Sequence, residues 1–132
     1  MRKVIRRRGM KAGITGEARL IVTENNTAET MKSGTLPVLA TPAVAALMEQ
    51  ASQESVTPEL AENETTVGIS LNMKHIKATG LGKEVYAKSV LTEVDGRRLV
   101  FEATAYEGET MIASAVHERF VVDAVRFLEK IN

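Results

Sequence analysis

Two hydrophobic periods divide this chain. Val44, Leu47, Met48 and Ala51 fall at i, i+3, i+4 and i+7, the spacing that predicts one buried face on an α-helix. Further on the period drops to two. Val67, Ile69, Leu71 and Met73 alternate with polar residues, and His75 is next in that series, which predicts a strand with one face inward. Thr41-Pro42 predicts the helix start, with Thr41 as the capping residue and Pro42 at the first helical position. Thr57-Pro58 predicts its end near Ser55.

The flanking segments complete the pattern. Residues 13–22 predict a first strand, and residues 23–37 are polar and turn-rich, a loop or short helical lid. Lys83 to Val94, Arg97 to Tyr106 and Thr110 to Val122 predict three more strands, separated by turns at Asp95-Gly96 and Glu107-Gly108. On the last of them Met111, Ala113, Ala115, His117, Arg119 and Val121 share one side. A short helix follows from Asp123, with Ala124, Phe127, Leu128 and Ile131 as its apolar stripe. The predicted order is strand, loop, long helix, four strands in meander, short helix. That is an α+β chain in which an antiparallel sheet of about five strands wraps one long central helix, the hot-dog arrangement. A single sheet leaves edges and apolar surface open, and pairing two sheets edge to edge into a dimer, or a dimer of dimers, covers them.

Composition narrows the chemistry. The 132 residues predict one domain. There is no Cys, so disulfides, thiolate nucleophiles and Cys-ligated zinc are excluded. Only two His residues occur, with no HxxxH or HxH pair, so no metal site is expected. No apolar run approaches the ~20 residues of a membrane helix, so neither a membrane role nor a signal peptide is expected and the predicted location is cytoplasmic. Net charge is zero but uneven: residues 1–11 carry six basic and no acidic side chains. They are expected to form a basic tail ahead of a domain at 12–132, with Met10-Lys-Ala-Gly resembling a second translation start. The remainder is mildly acidic, with 11 basic and 17 acidic residues, which argues against nucleic acid as a partner.

Glu49 is the only charge between Lys32 and Glu54. It lies on the flank of the predicted helix, and a solvent-facing Glu is the ordinary outcome there. Among the small residues Ala43, Ala45 and Ala46 it can instead serve as base or nucleophile. His75 can be a core histidine or an imidazole at a pocket wall, working as acid and base. Thr41, beside a helix N-terminus, can also help hold a carbonyl oxygen. Thr41 and Glu49 are eight residues apart, about 12 Å along a helix, so a site using both is elongated or borrows groups from a second subunit. Gly68 interrupts a strand, as a bulge or where a ligand approaches. Arg119 can hold a phosphate or a surface carboxylate.

Residues 39–52 (LATPAVAALMEQAS), 66–75 (TVGISLNMKH) and 80–85 (GLGKEV) together resemble the hot-dog thioesterases of the fluoroacetyl-CoA thioesterase type, over roughly residues 12–131. The resemblance implies an acyl-CoA thioesterase with a Thr at the helix start, a Glu within the helix and a His on the next strand, here Thr41, Glu49 and His75. It also implies Gly68 and Arg119 as site residues. Fluoroacetyl-specific members carry aromatic lid residues before the helix. Residues 23–40 here contain no Phe, Tyr or Trp and offer Met31, Leu36, Val38 and Leu39, of which Leu36 is the candidate acyl contact. The expected substrate is a small or medium acyl group on CoA, with the CoA part of the substrate and no other cofactor. Two alternatives stand beside this: a non-catalytic acyl-CoA or acyl-carrier-binding module, and a hot-dog hydratase or dehydratase.

Overall fold

The computed structural model describes residues 10–132. Five strands and three α-helices are found there: β1 (Thr15–Ile21), α1 (Ala28–Met31), α2 (Thr41–Val56), β2 (Glu64–His75), β3 (Glu84–Asp95), β4 (Arg98–Glu107), β5 (Thr110–Asp123) and α3 (Ala124–Ile131). All strand pairs are antiparallel, in the order β1-β3-β4-β5-β2. The simple meander expected from β2 onward is therefore corrected. β3, β4 and β5 do form one, but β2 crosses to the far edge and pairs with β5. The crossing segment passes the start of α2, where the Leu39 N–H donates to the Thr79 carbonyl at 2.9 Å.

The sheet curls around α2 because small residues line its inner face. Ala87 pairs with Ala105, Ala105 with Ala113, and Ala103 with Ala115, and all five are buried. Methyl-sized side chains on the strands let the long ones on the helix fill the space between. Val44, Leu47, Met48 and Ala51, the predicted face, are all buried together with Ala43, Ser52 and Val56. Each large side chain so buried contributes roughly 1.5–3 kcal/mol. β1 comes closest: a Cβ at Gly16 would overlap the Ala51 carbonyl oxygen, so glycine is required there. A second cluster closes one end, with Met10, Val56, Leu91, Leu99, Phe101 and Val121 buried together. Residues 1–9, which hold five of the six basic side chains of the expected tail, lie outside the described residues.

Two expectations about local structure are corrected. Ala40, not Thr41, is the N-cap of α2; Thr41 is the first helical residue, Pro42 follows in the first turn, and no side chain caps the end. The strand β2 does not keep one phase. A bulge between Gly68 and Ser70 inserts Ile69, so Thr66 and Gly68 share the inward side with Leu71, Met73 and His75, while Ile69 is 52% exposed. The turn signals act as expected: Gly96 and Gly108 take left-handed φ values of 62° and 59°. Asp123 caps α3, accepting from the Arg126 N–H at 3.0 Å. Phe127, Leu128 and Ile131, the predicted stripe of α3, are exposed among the described residues.

Candidate active site

The first turn of α2 points a hydroxyl at the end of β2. Thr41 Oγ1 lies 2.8 Å from His75 Nδ1. Thr41 is free to do this because the helix starts one residue earlier than the capping pattern suggests, which releases its hydroxyl from cap duty. The other ring nitrogen, His75 Nε2, is buried and has no hydrogen-bond partner among the described residues. Burial pushes the His75 pKa below the ordinary imidazole value, weakly opposed by the Lys77 backbone. The ring is therefore neutral at pH 7, with a nitrogen available to accept a proton. Thr41 and His75 form one wall of a shallow pocket whose other walls are Ala28, Val38, Leu39, Ile76 and Lys77. Leu36 is 62% exposed and does not line that pocket; Val38 and Leu39 do.

Two turns along α2, Glu49 sits in a different company. Its Oε2 accepts from Arg119 Nη1 at 3.1 Å. Arg119 is 7% exposed and is held on both sides, with Nε donating to Thr66 Oγ1 at 2.8 Å and Nη2 to the Thr66 carbonyl at 3.0 Å. Burial lowers the Arg119 pKa while Glu49 pulls it back up, and the guanidinium stays charged. Arg119 is thus not the surface residue that a strand-end position allows. The Glu49 side chain is 43% exposed and faces a cation, so its setting is a partly exposed charged pair rather than an apolar wall. Gly68 stands opposite Arg119 in the β2–β5 register, and a Cβ there would come within 2.5 Å of Glu49 Oε2. It adjoins the bulge, as one of its sequence readings has it, and the Glu49 carboxylate occupies the space its missing Cβ leaves.

The residues expected to share a site thus fall into two groups within the chain. Thr41 and His75 meet at the helix start; Glu49, Gly68 and Arg119 meet midway along it. Glu49 does not pair with His75 in the single chain. A sixth residue, His117, was visible in the sequence only as an inward position on β5. It is 1% exposed, its Nδ1 lies 2.8 Å from the Ser70 carbonyl oxygen, and its Nε2 lies 3.1 Å from Arg119 Nη1. Its Nε2 is also 3.6 Å from Glu49 Oε2, but this is no ion pair. Burial, and then the Arg119 charge, hold the ring below the ordinary imidazole pKa against the opposing pull of Ser70 and Glu49. Among the described residues no group of three or more His, Asp or Glu side chains is disposed to hold a metal ion, and no helix is long and apolar enough to cross a membrane.

A curled antiparallel sheet around a central helix is the hot-dog arrangement, and here an acid, an imidazole and a hydroxyl stand beside that helix. Solved hot-dog structures superpose on the chain throughout. A hot-dog-like protein from Thermanaerovibrio acidaminovorans matches at TM-score 0.83 and 23% identity, covering 91% of this chain and 89% of that one. The fluoroacetyl-CoA thioesterase FlK matches at TM-score 0.88 and 28% identity, covering 94% and 96%. A curated fluoroacetyl-CoA thioesterase from Streptantibioticus cattleyicolor is 34% identical over 95 residues, 72% of this chain and 68% of its own. The family model described as fluoroacetyl-CoA-specific thioesterase matches residues 22–125. The chain belongs to that family. It is a thioester hydrolase of the acyl-CoA thioesterase type.

Proposed function

We propose that this protein hydrolyses a small or medium acyl-CoA with Glu49, His75 and Thr41 as its reacting groups. The observation that carries this is the 2.8 Å pairing of Thr41 with a half-buried His75, whose pKa partial burial lowers, at the positive end of α2. A thioester carbonyl seated there meets the Thr41 hydroxyl and backbone N–H as donors for its developing oxyanion, since Pro42 has no N–H and those of Ala43 and Val44 donate to the Ala40 carbonyl. As base, Glu49 takes a proton from water as that water attacks the carbonyl; the C–S bond breaks, and a proton passes to the CoA sulfur by way of His75. As nucleophile, Glu49 forms a mixed anhydride as the CoA thiolate leaves, and a water deprotonated by His75 then hydrolyses the anhydride to the free acid, its proton going on to the thiolate. A hydroxyl, a carboxylate and an imidazole suffice for this, so the reading calls for no metal and no cofactor beyond the CoA of the substrate. Support for a CoA ester comes from a FlK mutant solved in complex with fluoroacetate and CoA, which matches at TM-score 0.84 and 28% identity.

The separation of the two groups on α2 argues for a homodimer. β2 is an edge strand, 12 residues long, with its outer side unpaired in the single sheet. Antiparallel pairing of two copies of β2 sets the Gly68 end of one beside the His75 end of the other. Glu49 of one subunit then faces Thr41 and His75 of its partner, which the ~12 Å between them within one helix forbids. We place the activity in the cytoplasm, with residues 12–132 as the working domain, Met10 packed against its core, and the basic residues 1–9 dispensable.

The test is thiol release from a panel of acyl-CoA esters. Glu49→Ala and His75→Ala should each lower kcat by well over ~10²-fold while leaving the oligomer folded. Near-full hydrolysis by both variants overturns this assignment of the site.

A further inference from the structure

We propose that His117 is a positioning residue for this reaction: a neutral imidazole, protonated on Nδ1, whose Nε2 lone pair fixes the Arg119 guanidinium and through it the Glu49 carboxylate. The inference rests on the reading of Glu49 as the reacting acid.

The tautomer follows from the partners. A backbone carbonyl can only accept, so the 2.8 Å contact between His117 Nδ1 and Ser70 O requires the proton on Nδ1. A neutral ring protonated on Nδ1 carries its lone pair on Nε2. Arg119 has only donors, and its Nη1 lies 3.1 Å from that nitrogen. Nη1 has two hydrogens and two acceptors, His117 Nε2 and Glu49 Oε2, each at 3.1 Å. One hydrogen goes to each. With Nε and Nη2 both spent on Thr66, the guanidinium has a single orientation, and Glu49 reads it.

The bulge in β2 makes this possible. The register shift between Gly68 and Ser70 brings the Ser70 carbonyl within reach of the ring and turns Gly68 toward Arg119. The opposite strand β4 faces the ring with Phe101, centroids 6.1 Å apart, and contributes no charge to it. The charged groups near the ring are Glu49 from α2 and Arg119 and Glu118 from β5. Moving a proton onto Nε2 replaces an acceptor by a donor against Arg119, which breaks the relay at its centre. His117 makes no hydrogen bond to a reacting atom in this arrangement, since its Nε2 lies 3.6 Å from Glu49 Oε2 and both are acceptors; a neighbour that holds a catalytic group in place commonly accounts for about 10–100-fold in activity.

Three measurements test it. The chain has two His residues, so ¹⁵N-His labelling gives two rings, and the His117→Gln spectrum identifies which is which. At neutral pH the His117 ring should be neutral with the proton on Nδ1; a proton on Nε2, or an imidazolium, overturns the proposal without any variant having to fold. His117→Leu should lower kcat by about 10–100-fold with KM little changed. His117→Gln keeps an acceptor near the Nε2 position and should recover to within a few-fold of wild type. Equal losses in Gln and Leu point to packing alone and overturn the proposal, as does full activity in His117→Leu. Glu49→Ala separates the two levels: if it stays active, the reading of the acid fails; if it is inactive while His117→Leu is active, only the positioning role fails.

Discussion

Adding one methyl group at residue 68 should disable the enzyme while leaving its fold almost untouched. Gly68 adopts ordinary strand backbone, so Gly68→Ala introduces no left-handed strain. What it introduces is a Cβ 2.5 Å from Glu49 Oε2, 3.3 Å from Arg119 Nη1 and 3.4 Å from His117 Cε1. Arg119 and His117 are buried and bonded on several sides, and they cannot retreat. Glu49 can, because its side chain is 43% exposed. Restoring an ordinary separation of roughly 3.3–3.5 Å requires the carboxylate to move by about 1 Å. It moves away from Arg119, so the 3.1 Å bond between them is lost. Since that pair is partly solvated, the stability cost should stay within about 1 kcal/mol. The catalytic cost is larger: displacing a reacting group by ~1 Å costs on the order of 10²-fold, near 2.7 kcal/mol of transition-state stabilisation. Thiol release gives kcat and KM, and thermal melting gives stability. A Gly68→Ala protein that hydrolyses acyl-CoA within about 3-fold of wild type would refute the idea that Glu49 must occupy the space beside this glycine.

Other outcomes follow from the same contacts. Thr41→Val removes the hydroxyl 2.8 Å from His75 Nδ1 while keeping the shape of the side chain; kcat should fall at least ~10-fold, Thr41→Ser should retain most activity, and equal rates in all three proteins would show the hydroxyl to be idle. Arg119→Lys cannot reproduce three bonds to Thr66 and Glu49 from one ammonium, so denaturant unfolding should show a loss of about 1–3 kcal/mol, and an unchanged midpoint would contradict the account of how Arg119 is held. His75 and His117 both have folded-state pKa values below the ordinary imidazole value, so the unfolded chain binds protons first as pH falls. Their contribution to stability is whole above about pH 6.5 and is lost progressively below it, toward the depressed native values. Melting temperature should therefore drop on acidification from pH 7, less steeply in His117→Gln; a flat profile from pH 7 to about 5 would contradict the lowered pKa of the two rings.

The parts of this molecule that were legible in sequence are those set by short-range repetition. The apolar face of α2 follows from a 3.6-residue period, and Val44, Leu47, Met48 and Ala51 are buried as that period requires. The inward series on β5 from Ala113 to Val121 follows from alternation, because nothing interrupts that stretch of strand. β2 broke the same rule. Its bulge inserts one residue, and a single insertion exchanges the faces of everything on one side of it. Alternation through Ile69 therefore assigned Val67 and Ile69 to the face that Thr66 and Gly68 occupy. Strand order was equally out of reach, since the eight residues between β2 and β3 permit a hairpin or a crossing and their composition does not choose.

The candidate site was legible as a list of residues and not as a set of contacts, for a related reason. Thr41, Glu49, His75, Gly68 and Arg119 stand out by type and spacing, but their partners lie on strands 34, 53 and 70 residues away. Arg119 reads as a surface cation until the curl of the sheet buries it against Thr66. His117 reads as core filler until the bulge lifts the Ser70 carbonyl to its Nδ1. In both cases the chemistry is decided by which backbone group arrives opposite the side chain, and register alone determines that. A substitution that removed the bulge, deletion of Ile69 for instance, should change no residue of the site and still scatter it, since Gly68 would leave Arg119 and the carbonyl facing His117 would be replaced by another.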